Sequence, residues 1–64
     1  MRRLRLKKDA AYTVTIRPNG WTMVYHNGKM VAHAANFEAA RQYIYKRLHG
    51  ENGYISEEDF EEVG

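Results

Sequence analysis

From Tyr12 to Arg17 apolar and polar positions alternate with period two, Tyr-Thr-Val-Thr-Ile-Arg, and the β-branched content suits a half-buried strand. Tyr12, Val14 and Ile16 are expected to face inward, and Thr13, Thr15 and Arg17 outward. Pro18-Asn19-Gly20 then turns the chain, with proline presetting φ and glycine accepting a positive one. From Trp21 to Ala34 the alternation resumes on both sides of Asn27-Gly28, the dipeptide of a two-residue type I′ hairpin. Such a turn sets His26 against Lys29, Tyr25 against Met30, Val24 against Val31, Met23 against Ala32, Thr22 against His33 and Trp21 against Ala34. The inner face is then expected to carry Trp21, Met23, Tyr25, Met30, Ala32 and Ala34. Thr22, Val24, His26, Lys29, Val31 and His33 fall on the outer face.

Past the third strand the period lengthens. Phe37, Ala40, Ile44 and Leu48 recur at helical spacing, Asn36 can cap the first turn and Gly50 can end the last. This helix is expected to cover the Trp21/Met23/Tyr25 face. Truncating Phe37 or Ile44 to alanine should cost about 2–5 kcal/mol in a urea unfolding experiment. The predicted class is α+β, a three-stranded antiparallel meander packed on one helix (βββα) over residues 12–50. A basic arm, residues 1–11, precedes it and an acidic segment, residues 51–64, follows. In that segment Ser56 can cap a helix of at most two turns, with Ile55 and Phe60 as a hydrophobic staple. A helix this short is marginal alone, so the segment is either docked through Tyr54, Ile55, Phe60 and Val63 or disordered until a partner binds.

Sixty-four residues allow one domain with one small core, and the absence of cysteine removes disulfides and thiolate metal sites. The basic start resembles the opening of a secretion signal, but Asp9, Arg17 and Pro18 interrupt the apolar stretch such a signal needs. The expectation is a soluble cytoplasmic protein with no membrane partner. Net charge is +2, yet residues 1–8 carry five positive charges and residues 51–64 six negative ones. The two ends can solubilise the domain, pair with each other, or serve separate partners.

Catalytic and metal chemistry find little support. Asn52 to Phe60 resembles the second half of a calcium-binding EF-hand loop, but the alignment puts Leu48 and Gly50 where oxygen ligands are required. In the expected hairpin His26 and His33 lie about 13 Å apart along the strands, too far to share a metal. His49 falls at the helix end, where a cation complements the dipole. No nucleophile elbow, zinc helix or phosphate-cradling glycine loop is present, so the protein is read as non-enzymatic, without cofactor or small-molecule substrate.

The outer sheet face mixes hydroxyls, cations and small apolar groups, a composition suited to phosphate and base-edge contacts. Gly20-Trp21, the Tyr25-His-Asn-Gly-Lys29 hairpin and Asn36-Phe-Glu-Ala-Ala-Arg41 together resemble the three-stranded-sheet-plus-helix DNA-binding domains of tyrosine recombinase amino termini and AP2-type factors. The resemblance spans roughly residues 12–48. It implies a sheet inserted in the major groove of DNA, with Arg17, Thr22, His26 and Lys29 at the bases. Arg2, Arg3, Arg5, Lys7 and Lys8 of the arm are the accompanying phosphate contacts. A second expectation comes from another class: a small inhibitor or adaptor of the kind phages and mobile elements encode, which captures a host protein. It would use the acidic segment, with Tyr54, Ile55, Phe60 and Val63 as the apolar side and Glu57, Glu58 and Asp59 as the charged side.

Overall fold

A computed structural model describes residues 1–63; Gly64, the last residue of the acidic segment, lies outside the described residues. Among these, the elements run β1 (Arg2–Leu6), β2 (Tyr12–Ile16), β3 (Thr22–His26), β4 (Lys29–Ala34), α1 (Phe37–His49), a single 3-10 turn (Glu57–Asp59) and β5 (Phe60–Glu62). The strands form one sheet in the order β4-β3-β2-β1-β5, each antiparallel to its neighbour. The α+β class stands, but the three-stranded meander is corrected to five strands. The basic segment is an interior strand, and the acidic segment supplies a turn and an edge strand instead of a helix or a disordered tail.

Both added strands follow from short alternations hidden among charges. In β1, Leu4 and Leu6 are buried while Arg3 and Arg5 point the other way. In β5, Phe60 is buried against α1, with its ring 5.2 Å from that of Phe37 in an edge-to-face arrangement. Leu6 pairs with Phe60, and Lys7 donates its backbone N–H to the Asp59 carbonyl at 2.8 Å.

The β2–β3 connection decides which face meets the helix. Arg17 donates to the Trp21 carbonyl at 2.8 Å, closing a three-residue loop in which Gly20 takes φ 98° and accepts what a side chain would resist. Arg17 is outward, so its partner Trp21 is outward as well, and Met23 and Tyr25 follow. Thr22 and Val24 therefore face α1 and are fully buried, reversing the expected assignment for β3. The Asn27-Gly28 turn forms as expected, both residues at positive φ, and His26–Lys29 and Tyr25–Met30 pair as expected. A bulge then shifts the register: Val24 meets Ala32, Met23 meets His33 and Thr22 meets Ala34. With one residue absorbed at Val31, Ala32 and Ala34 remain inward while Met30 turns out. The Tyr43 hydroxyl donates to the Val31 carbonyl at 3.1 Å, tying the bulged edge to the helix.

Helix α1 begins and ends as its sequence dictates. The Asn36 side chain accepts from Ala39 N–H at 2.8 Å, and Gly50, at φ 73°, donates to the Lys46 carbonyl at 2.8 Å. Ala40 and Ile44 are fully enclosed over Val14 and Val24, and Leu4, Leu6, Tyr12, Ile55 and Phe60 complete the core. Arg41 is buried too. Its guanidinium donates to the Ile55 carbonyl at 3.0 Å, stands 3.6 Å from Glu57 and lies between the rings of Phe37 and Tyr54. It fastens the chain after the helix back onto the helix. Gly53 allows that approach, since a Cβ there would run into the Tyr45 ring.

Candidate nucleic-acid interface on the open sheet face

One face of the sheet is covered by α1 and the other is open. Along the open face three rows cross the strands. Met30, Tyr25, Thr13, Arg5 and Glu61 form one; His33, Met23, Thr15 and Arg3 form the next; Trp21 and Arg17 close the end of the β2–β3 hairpin. Aromatic and sulfur groups gather over β3 and β4, threonines form a low floor on the middle strand β2, and arginines stand over β1. Trp21 is 42% exposed and Met30 57%, which are high values for such side chains in so small a domain.

Contacts within the face hold its groups in place. The Trp21 and His33 rings lie 4.8 Å apart, and Arg17 Nη2 and the Tyr25 hydroxyl rest on the Met23 sulfur at 3.6 and 3.8 Å. Arg5 makes paired hydrogen bonds to Glu61 Oε2 at 3.1 and 3.0 Å, with both side chains 42% exposed. Pairs this open contribute about 0–1 kcal/mol, so a phosphate could compete with Glu61 for Arg5. Among the described residues, Arg3 and Arg17 have no carboxylate partner.

The residues singled out from the sequence are thus divided. Arg3, Arg5 and Arg17 come together on the open face. Arg2 lies on the helix side of β1 and bonds Glu62 at 2.6 Å, while Lys7 and Lys8 occupy the exposed β1–β2 turn. Thr22 is enclosed beneath the helix, its hydroxyl donating to the Gly20 carbonyl at 3.1 Å, and so is removed from any surface. His26 is also on the helix side, stacked on Tyr12 at 4.3 Å, and Lys29 is exposed at the hairpin tip. Of the acidic-segment residues, Ile55 and Phe60 are in the core, Val63 is half-buried and donates its N–H to the Arg3 carbonyl at 2.9 Å, and Tyr54, Glu57 and Glu58 are exposed. Asp59 is half-buried at the end of the 3-10 turn, just before β5.

His33 lies on the outer face as expected, whereas Trp21, Met23, Tyr25 and Met30 are surface groups that sequence reasoning missed. Their signal was available in the Arg17–Trp21 closing pair, which carries the outward parity of Thr13, Thr15 and Arg17 into β3.

Helix-side cations are differently placed. Arg47 donates to the hydroxyls of Tyr12 at 2.8 Å and Tyr43 at 3.2 Å, and the bond to Tyr12 is the main reason its pKa is raised further. No cluster of three or more metal-ligating side chains occurs among the described residues, and no helix there is long and apolar enough to cross a membrane. Comparison with family models, curated proteins and solved structures finds no match to this chain.

Proposed function

We propose that this protein is a non-enzymatic nucleic-acid-binding module that works in the cytoplasm and engages its partner through the open face of the sheet. The observation that carries this reading is the coincidence, on one uncovered surface, of two cations that have no carboxylate partner among the described residues, Arg3 and Arg17, and a set of exposed aromatic and sulfur side chains. Cations contribute sequence-independent affinity by displacing counterions from phosphates, and aromatic faces contribute stacking. The capture of a host protein by the acidic segment is less well supported, because Ile55 and Phe60, its main apolar anchors, are enclosed in the core.

The test is fluorescence anisotropy of labelled single- and double-stranded oligonucleotides at low and at physiological salt. Affinity should fall steeply with salt. Arg3→Ala and Arg17→Ala should each weaken binding and reduce the slope of log K against log salt by about 0.7–0.9, the loss of one phosphate contact. Glu61→Gln should tighten binding by releasing Arg5. Absence of binding to every oligonucleotide at low salt would overturn the reading.

A further inference from the structure

Resting on that reading, we infer that the open face takes a single-stranded polynucleotide in preference to a duplex, with bases stacked on Tyr25 and Trp21 and the backbone held by Arg3 and Arg17. The first argument is width. Five strands at about 4.8 Å spacing put the outer strand axes about 19 Å apart, whereas the major groove of B-form DNA is about 12 Å wide. A three-stranded sheet can lie flat in that groove; this one cannot.

The second argument is charge at the rim. Two phosphate backbones flank a groove, so a sheet seated there meets phosphates along both of its edges. Here one edge strand, β5, presents Glu61 on the open face, held only by its exposed pair with Arg5, and that carboxylate would face one of those backbones. A single strand can instead follow the cationic and aromatic part of the face and leave that edge empty.

The third argument is the layout of the face. Thr13 and Thr15 are short side chains on the central strand, so they form a shelf between the Tyr25/Met23 ridge on β3 and the arginines on β1, about 10 Å away. Bases have two flat faces and a duplex hides both; only an unpaired base can be sandwiched against Tyr25 or the Trp21–His33 pair. Arg17, seated on Met23 beside Trp21, is positioned to meet the phosphate of a nucleotide stacked there.

The experiment uses the full chain with labelled oligodeoxyuridylate and oligouridylate of about 15 nucleotides, which differ only in the 2′-hydroxyl and match the range of single-strand site sizes, and a mixed-sequence duplex of the same length. Trp21 is the only tryptophan, so its emission reports the site directly. Both single strands should bind at least about ten-fold more tightly than the duplex and quench Trp21, and the difference between the two shows whether the 2′-hydroxyl is read. Tyr25→Ala should weaken single-strand binding about five- to a hundred-fold with little change for the duplex, while Tyr25→Phe should retain it. Trp21→Ala, at an exposed turn position, provides the same test should Tyr25→Ala lower the melting temperature. Duplex binding as tight as single-strand binding, or single-strand binding that leaves Trp21 emission unchanged, would overturn this inference while leaving nucleic-acid binding in place. Failure of all three oligonucleotides to bind at low salt would remove both.

Discussion

Val24→Asp is expected to abolish folding, whereas Met30→Asp should leave the domain folded, with its unfolding free energy changed by about 1 kcal/mol or less. Val24 is fully buried between Val14 and Ala32, under the helix. A carboxylate there either stays ionised among the apolar side chains of the core or takes up a proton, and in both cases several kcal/mol are lost. A domain of this size has a total stability of roughly 3–10 kcal/mol, so the variant should lack cooperative urea unfolding and near-ultraviolet dichroism. Met30 is 57% exposed on the edge strand, and an aspartate there points into water. The reverse result, a folded Val24→Asp and an unfolded Met30→Asp, would mean that the sheet is turned over relative to the helix.

Phe60→Ala should cost about 3–5 kcal/mol, because it empties a buried aromatic site at the edge of the core. The loss extends beyond the cavity. Phe60 is the apolar anchor of β5, and without it Glu61 and Glu62 are held only by an edge-strand ladder to β1 and by exposed ion pairs of small net value. Strand β1 would then lose a neighbour and expose unpaired backbone groups along Arg2–Leu6. Urea denaturation measures the shift, and Glu58→Ala, an exposed change in the same segment, is the control expected to move the midpoint little. A Phe60→Ala midpoint equal to that of the native chain would mean that the acidic segment is an accessory to the domain and not part of it.

The helix, its two caps, the inward face of β2 and the Asn27-Gly28 turn are legible because each depends on residues within a few positions of one another. What escaped depends on partners far apart in the chain. Arg-Arg-Leu-Arg-Leu offers only two apolar positions, and its charges read as a solvated arm until Leu4 and Leu6 meet Phe60 and α1. Phe60-Glu-Glu reads as a tail until Arg2 and Arg5 supply its counter-charges. Of the paired-ends and separate-partners readings of the charge asymmetry, the structure favours pairing. The β3 error has a different origin: Trp21, Met23 and Tyr25 are larger than Thr22 and Val24, and size pointed them inward. Strand parity carried through a three-residue loop outweighs that preference, and the bulge at Val31 reconciles β4 with it. The same reversal moved Thr22 and His26 out of the candidate interface and brought Trp21 and Tyr25 into it.

Strand β1 lies between β2 and β5, with Val63 hydrogen-bonded to Arg3. The first and last strands run side by side in opposite directions, so a peptide bridge of a few residues would join them head to tail without disturbing the sheet. A chain closed in this way loses conformational entropy mainly in its unfolded state and should melt at a higher temperature. Opened again between Asn27 and Gly28, it would become a circular permutant in which Gly28 leads the chain and the sheet keeps its spatial order.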